Sequence, residues 1–160
     1  DKDIVMETHK IEIPNKILIN EIKKILNEGH SATFRVKGYS MRPFLEHERD
    51  SVKIEKAIAE DINVKDVVLA EVQPHVYVLH RVIRRIDNQL TLKGDGNVVG
   101  TEHCLVNDVV GKATAFYRKG RKQPDLVTEG KWKIYSNIWL TLSPIRRIML
   151  GIYRRLPFKF

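Results

Sequence analysis

The chain has 160 residues, of which 42% are hydrophobic and 30% are charged, and its formal net charge is +8 at pH 7. These proportions are ordinary for a soluble globular protein, and the length fits one domain over residues 1–160. The positive charge favours an anionic partner such as a membrane surface or nucleic acid, although solubility alone also explains it.

The cysteine content and the hydropathy exclude several classes of protein. A single cysteine, Cys104, rules out an internal disulfide framework and a multi-cysteine zinc site, and we expect no cofactor. A thiol protease pair of Cys104 and His103 is disfavoured, because adjacent residues on a strand point to opposite faces. No apolar run approaches the roughly 18 residues of a membrane span, and residues 1–10 lack a signal-peptide pattern. We therefore expect a cytoplasmic or peripherally membrane-associated chain.

Residues 14–29 carry the apolar spacing of an amphipathic helix. After Pro14 and Asn15, apolar side chains recur three and four residues apart, at Leu18, Ile19, Ile22, Ile25 and Leu26. Gly29 ends the pattern, as glycine often does at helix C-termini. The following segment is typical of a strand and not of a second, recognition helix, which argues against sequence-specific DNA binding.

Residues 32–117 predict an antiparallel core, so the fold class is mainly β within α+β. Short runs rich in β-branched and aromatic residues follow one another without a helical pattern between them. The predicted strands cover residues 32–36, 51–54, 66–72, 77–86, 89–93 and 108–117. Asp87 and Asn88 predict a two-residue hairpin turn, and residues 73–75 predict another turn.

The last part of the chain predicts a basic linker over residues 118–130 and an amphipathic helical extension over residues 131–160. In the first helix an apolar stripe is formed by Trp132, Tyr135, Ile138, Trp139 and Leu142. Ser143 and Pro144 are typical of a helix start.

The second helix has an apolar side and a basic side. The apolar side carries Ile145, Ile148, Met149, Ile152 and Leu156, and the basic side, which we expect to face water, carries Arg146, Arg147, Arg154 and Arg155. Such a pair of helices either lies in the interface of an anionic membrane or packs on its own sheet, and the pattern alone fits both.

Residues 38–45 hold a serine in an unusual setting. Ser40 follows the first predicted strand and lies between Gly38 and Pro43. Glycine lets the backbone turn sharply, and proline fixes the chain beyond it, so the serine is held in place. This arrangement suits a nucleophile, and it also describes an ordinary turn.

His80 lies in the middle of the predicted strand 77–86. With a period of two, it shares the most apolar face of that strand with Val78, Val82 and Ile86. A histidine there is either a core residue with satisfied hydrogen bonds or a neutral base directed at a cleft.

Asp95 follows the next strand and lies between Gly94 and Gly96. Gly-Asp-Gly is a common turn sequence. The carboxylate could equally orient an imidazole and stabilise its protonated form.

Four segments of the chain carry a family pattern when they are taken in order. They are residues 38–43 (Gly-Tyr-Ser-Met-Arg-Pro), 66–70 (Asp-Val-Val-Leu-Ala), 77–83 (Tyr-Val-Leu-His-Arg-Val-Ile) and 92–97 (Leu-Lys-Gly-Asp-Gly-Asn). Together they resemble the boxes of type I signal peptidases and of the related LexA-like self-cleaving serine peptidases. The resemblance covers roughly residues 32–117 and implies a LexA/signal-peptidase-like antiparallel β core flanked by an N-terminal helix and C-terminal helices.

The resemblance implies a serine endopeptidase that acts on a peptide or protein substrate. Ser40 would be the nucleophile, His80 the general base and Asp95 the acidic partner of the histidine. Bacterial signal peptidases have a lysine at the position of His80, and histidine there is similar to the archaeal and endoplasmic-reticulum type. The oxyanion and substrate-binding residues would be those around the serine: Gly38, Tyr39, Met41 and Pro43.

Other functions stay open at this point. The chain as printed has neither the N-terminal anchor of signal peptidases nor the DNA-binding domain of LexA repressors, which allows a non-catalytic peptide-binding or membrane-peripheral module with the peptidase fold. Nucleic-acid binding rests on the net charge alone, because aromatic residues are not interleaved with basic ones on the predicted strands.

Overall fold

A computed structural model of the chain describes residues 4–5, 16–97 and 100–157. In these ranges the strands are β1 (Ile4–Val5), β2 (Ala32–Arg35), β3 (Ser51–Glu55), β4 (Val67–Gln73), β5 (Val76–Ile86), β6 (Gln89–Lys93), β7 (Glu102–Leu105), β8 (Val109–Tyr117) and β9 (Asp125–Leu126). The helices are α1 (Lys16–Asn27), α2 (Gly130–Thr141) and α3 (Arg146–Arg155).

The described strands form one sheet in the order β1-β2-β3-β8-β4-β5-β6-β7, and β9 pairs with β8. All pairings are antiparallel except that of β1 with β2. The predicted fold class, a mainly antiparallel β core with an N-terminal helix and C-terminal helices, is therefore confirmed.

All six predicted strands are present, and three further strands were not predicted. The three are β1, β7 and β9, which have two to four residues each and are too short to show an alternating pattern. β9 lies inside the segment expected to be a basic linker. The linker prediction for residues 118–130 is wrong at this point, because Asp125 and Leu126 pair with Phe116 and Ala115 of β8.

Helix α1 confirms the predicted N-terminal helix. Its apolar stripe is buried in the core, and the helix ends in a Schellman arrangement at Gly29, whose φ is +85°. The N–H groups of Gly29 and His30 donate to the carbonyl groups of Leu26 and Ile25. Pro14 and Asn15, the predicted start of the helix, lie outside the described residues.

The two predicted turns form hairpins. β5 and β6 pair up to Ile86 and Gln89, which leaves Asp87 and Asn88 as the two-residue turn, with Asp87 at a φ of +51°. β4 and β5 pair up to Gln73 and Val76.

The sheet contributes to two hydrophobic cores, and β5 divides its side chains between them. Tyr77 and Leu79 pack in the larger core with α1, whereas Val82 packs in the smaller core with Val68 and Leu92. The alternation along β5 therefore puts His80 on the side of the smaller core and the next residue on the side of the larger one.

The C-terminal helices pack on the β core, but not by the predicted stripes alone. Of the predicted apolar stripe of α2, Trp132 and Trp139 are buried, whereas Ile138 is exposed. α3 buries Leu150, Tyr153 and Arg146. The prediction that Arg146 faces water is therefore wrong: its guanidinium donates to the carbonyl of Trp139 at 3.1 Å and lies over the Trp139 ring. No described helix combines the length and the apolar character that crossing a membrane would require.

Candidate active site

Ser40 lies on the connection between β2 and β3, residues 36–50, which we call the serine loop. The two ends of the loop are tied together, since the Val36 N–H donates to the carbonyl of Asp50 at 2.8 Å. The buried Asp50 carboxylate accepts hydrogen bonds from the N–H of Glu46, the N–H of Lys119 and the Arg49 side chain. Burial opposes ionisation of Asp50, but these donors outweigh it and lower the pKa of the carboxyl.

A turn formed by residues 94–97 lies directly against Ser40. The N–H of Gly96 donates to the Ser40 carbonyl at 2.7 Å. A Cβ atom on Gly94 would stand 2.3 Å from that carbonyl oxygen, and one on Gly96 would stand 2.4 Å from the carbonyl oxygen of Tyr39. Both positions therefore require glycine, because a side chain would prevent the two backbones from approaching so closely. The contact fixes the position of the Ser40 backbone relative to the 94–97 turn.

The first part of the serine loop, around residues 38 and 39, is held by contacts with other residues of the same loop. Gly38 has a φ of +87°, and its N–H donates to Nδ1 of His47 at 2.7 Å. The exposed ring of Tyr39 contacts both the His47 ring and the guanidinium of Arg42. Since its N–H is already bonded, Gly38 shapes the turn and does not supply an oxyanion donor. The N–H of Ser40, by contrast, takes part in no hydrogen bond with the described residues.

Glu46, in the second part of the serine loop, connects the loop to α3. Arg42 pairs with Glu46, and the other carboxylate oxygen of Glu46 accepts a hydrogen bond from the Tyr153 hydroxyl at 2.9 Å. Burial, with the hydrogen bond to Glu46, raises the pKa of Tyr153 to about 12, so its hydroxyl stays protonated and remains a donor.

His80 is nearly buried, at 4% exposure, and its ring has an acidic partner that the sequence did not indicate. Nδ1 of His80 lies 2.8 Å from Oε2 of Glu102, on β7. With Oε2 as the acceptor of this contact, Nδ1 is the donor, and in that tautomer of the neutral imidazole Nε2 has the lone pair that a base needs. The pairing of Leu92 with both Val82 and Glu102 explains the contact, because it puts Glu102 on the same face as Val82 and His80.

Asp95 does not meet His80, which corrects the predicted role. Both of its carboxylate oxygens accept hydrogen bonds from Arg81, at 2.7 and 2.6 Å, and the pair is fully buried. Arg81 adjoins His80 on β5 and therefore points to the opposite face. Burial disfavours the charge of Arg81, but Asp95 more than offsets this and raises the pKa of the guanidinium.

The Arg81–Asp95 pair is a junction between the sheet, the turn beside Ser40 and α2. Arg81 also donates to the Ser136 hydroxyl at 2.8 Å. The Tyr135 hydroxyl donates to Asp95, and the Trp139 ring N–H donates to the Asp95 carbonyl, each at 3.1 Å. Burial, together with Asp95, raises the pKa of Tyr135 well above its usual value, which keeps the hydroxyl a donor. Asp95 therefore supports the backbone under Ser40.

Ser40 and His80 line one cleft of about 190 Å³. The other lining residues come from the end of β2, the serine loop and the first half of β5: Val36, Lys37, Met41, Tyr77, Val78 and Leu79. β5 pairs with β6 only from Arg81 onward, so among the described strands the segment from Tyr77 to His80 pairs with β4 alone. Within the described residues, one edge of this segment is therefore unpaired where it lines the cleft. No hydrogen bond joins the Ser40 hydroxyl to the His80 ring within the described residues.

The other residues predicted around Ser40 are divided between this cleft and its surroundings. Met41 lines the cleft and is buried, whereas Tyr39 is more than half exposed beside it. Pro43 lines a separate pocket of about 210 Å³ with Phe44 and Trp132. Of the four predicted residues, Met41 alone therefore forms part of the cleft wall.

Two other kinds of site, a metal site and a reactive thiol, are not supported by the described residues. Over residues 16–97 and 100–157, no three acidic, histidine or cysteine side chains are grouped so that they could hold a metal ion. Cys104 is buried and His103 is exposed, as the alternation of β7 predicts. Burial raises the pKa of the Cys104 thiol to about 11, so the thiol is a poor nucleophile.

Comparison with known proteins leaves the family open. No family model matches the chain, and neither the curated proteins nor the solved structures gave a match. The resemblance to signal peptidases therefore stays a prediction.

Proposed function

We propose that the chain is a serine endopeptidase in which Ser40 attacks the peptide bond and His80 is the general base. The observation that supports this proposal is the cleft itself. A serine and a histidine that are 40 residues apart in the chain line the same small cavity, and an acidic side chain holds Nδ1 of the histidine. Glu102 would complete the triad.

The chemistry follows from these positions. A serine hydroxyl is a weak nucleophile, so Nε2 of His80 takes its proton as Oγ bonds to the carbonyl carbon. The imidazolium then gives that proton to the departing amine, and a water molecule, activated in the same way, releases the acyl group from Ser40. Glu102 stabilises the imidazolium in both steps, and the N–H of Ser40 donates to the oxyanion.

The edge of β5 indicates how a substrate would lie. An extended peptide can pair with the open edge between Tyr77 and His80 and thereby add a strand to the sheet. Pairing would bring one peptide bond to Ser40 and close the cleft around the reacting groups. Catalytic hydrogen bonds commonly tighten when substrate binds, which is how the Ser40–His80 bond would form.

Labelling with a fluorophosphonate, followed by mass analysis of the intact protein and its peptides, tests the proposal. We expect one phosphonyl group on Ser40 of the wild-type chain. Ser40→Ala should abolish labelling, and His80→Ala should slow it by several powers of ten. Ser51→Ala, a serine on β3 outside the cleft lining, is the matched control and should label like the wild type. Equal labelling of all four proteins would refute the assignment.

A second candidate is a non-catalytic module that binds an extended peptide in the same cleft. It is favoured by the absence of a hydrogen bond between Ser40 and His80 in the described residues. In that case a peptide library would yield ligands that bind wild type and Ser40→Ala equally, with neither labelling nor cleavage by the wild type.

A further inference from the structure

The outer surface of α2 and α3 exposes an unusual group of large apolar side chains. Five isoleucines within nineteen residues are each 47% to 67% exposed. We call them the isoleucine face: Ile134, Ile138, Ile145, Ile148 and Ile152. Single exposed apolar residues are normal on a protein surface. These isoleucines instead recur three and four residues apart, at 134 and 138 in α2 and at 145, 148 and 152 from the N-cap of α3 onward, so each helix exposes an apolar side that indicates a contact with something else.

The isoleucine face does not hold α2 and α3 on the rest of the protein, because other residues of the two helices do so. α2 already buries Trp132, Ser136 and Trp139 against the sheet. α3 is held on its other side, where Tyr153 bonds to Glu46 and Arg146 bonds to Trp139. In both helices the isoleucines lie away from these anchors, so α2 and α3 can stay in place while the face contacts another surface.

The charged residues of the segment that carries the isoleucine face all have one sign. Residues 131–160 contain seven lysines and arginines and no aspartate or glutamate. Five of the basic side chains are exposed in the described part of the segment: Lys131, Lys133, Arg147, Arg154 and Arg155. Almost the whole formal net charge of +8 therefore arises in the segment that also exposes the isoleucines.

We propose that the isoleucine face docks the protein on the surface of an anionic phospholipid bilayer. Isoleucine side chains insert at the boundary of the acyl chains, while long basic side chains reach the phosphate groups beside them. The charge argues against a second copy of the chain as the occupant, because a symmetric contact would bring like charges together. The positive charge would also suit nucleic acid, but a phosphate backbone offers no apolar surface for the exposed isoleucines to contact.

Docking would also orient the cleft. The hydrogen bond from Tyr153 to Glu46 and the pairing of Glu46 with Arg42 connect α3 to the serine loop. A bilayer under α3 would therefore hold the serine loop at a fixed distance from the lipid surface. This inference concerns an interaction surface and does not depend on whether Ser40 is catalytic.

Sedimentation with vesicles tests the proposal on the Ser40→Ala chain, so that any peptidase activity is removed from the measurement. We expect binding to vesicles of phosphatidylglycerol and phosphatidylcholine that weakens as salt is added, and little binding to phosphatidylcholine alone. Ile148→Glu with Ile152→Glu should weaken binding at least about tenfold, because both changes remove apolar contact and add negative charge. Ile58→Glu, at an equally exposed isoleucine before β4, is the matched control and should bind normally.

A second set of variants separates charge from apolar contact. Replacing Arg147, Arg154 and Arg155 with glutamine should weaken binding by roughly 100-fold at low salt, since each basic residue near an anionic surface contributes about fivefold. The same change at Arg84, Arg121 and Lys122, which are also exposed, should have a much smaller effect.

Two results would overturn the proposal. One is wild-type affinity of the Ile148→Glu and Ile152→Glu double variant for the anionic vesicles. The other is a wild-type chain that ignores vesicles but forms a dimer in analytical ultracentrifugation, which the same double variant converts to monomer. Because all the substitutions are at exposed positions, near-ultraviolet circular dichroism of the buried Trp132 and Trp139 should confirm that each variant is folded.

Discussion

Nδ1 of His80 lies 2.8 Å from Oε2 of Glu102, although 22 residues separate them in the chain and β6 runs between their strands. If this contact orients the imidazole, Glu102→Ala should lower kcat for peptide cleavage by roughly 10²- to 10⁴-fold and leave KM nearly unchanged. Thermal unfolding should change little, because the Glu102 side chain is partly exposed. Glu60→Ala, at an exposed acidic residue in a surface turn, serves as the control. Unchanged kcat in Glu102→Ala would remove Glu102 from the mechanism.

Asp95 should matter for stability more than for proton transfer. Asp95→Asn leaves the fully buried guanidinium of Arg81 without its counter-charge, which we expect to cost about 3–5 kcal/mol in the free energy of unfolding. Adding Arg81→Met should recover part of that loss, since the uncompensated charge is then gone. Urea unfolding of the two variants measures both effects. An Asp95→Asn chain of wild-type stability that no longer labels at Ser40 would return Asp95 to a catalytic role.

Gly94→Ala tests the contact beneath the nucleophile. The added Cβ would stand 2.3 Å from the carbonyl oxygen of Ser40 and 2.9 Å from its Cβ, so one of the two backbones must move. We expect a loss of about 1–3 kcal/mol in stability and a larger proportional loss of Ser40 labelling. Gly151→Ala, in α3, meets nothing within 4 Å and should stabilise the chain by about 0.5–1 kcal/mol. Normal labelling by Gly94→Ala would contradict the tight approach.

The lowered pKa of the Asp50 carboxyl predicts how acid affects the stability of the serine loop. Its pKa is lower in the folded chain than in the unfolded one, so its contribution to stability is present above the ordinary carboxyl pKa of 3.8 and is lost as the pH falls below it. Asp50→Asn should therefore lower stability at pH 7 and show a smaller further loss between pH 5 and pH 3 than the wild type. Urea midpoints across that range measure the difference. Parallel pH curves for the two proteins would contradict it.

The Cys104 thiol should react slowly while the chain is folded. With its pKa raised to about 11, only about a thousandth of the thiol is ionised at pH 8, roughly two orders of magnitude less than for an ordinary cysteine. Iodoacetamide should modify Cys104 rapidly in concentrated urea and at least about 100-fold more slowly in buffer. Cys104→Ser should retain Ser40 labelling, and its loss would revive a role for the thiol.

The parts of this fold that could be predicted from the sequence are those that repeat. β5 and β8 are long runs rich in β-branched and aromatic residues, and α1 shows the three-and-four spacing of a helix that buries one side. β7 has four residues, of which only Cys104 is buried, so its pattern is too short to read. Glu102 was missed for this reason.

The roles of individual polar residues were harder to predict, because they depend on which strands pair. Asp95 ends a strand in a glycine-flanked turn, and that local sequence fits an imidazole partner and an arginine partner equally well. The register of β5 decides between them, since it turns Arg81 and not His80 toward the turn. The burial of Arg146 in α3 was missed because it depends on a contact with a single residue of another helix, the Trp139 carbonyl of α2, which the spacing of apolar residues within α3 does not indicate.

The alternation of His80 and Arg81 makes the chain intolerant of any shift in β5. Deleting one residue between Val76 and Leu79, or inserting one, would exchange the two side chains between faces. The guanidinium would then lie in the cleft beside Ser40, the imidazole would be aimed at the Asp95 carboxylate, and Glu102 would lose its partner. A single insertion or deletion in this strand would thus disrupt both the His80–Glu102 contact in the cleft and the buried Arg81–Asp95 pair. Single substitutions, by contrast, can alter one of them and leave the other in place. Natural variation in length is therefore expected at the hairpin tips that flank β5 and not within it.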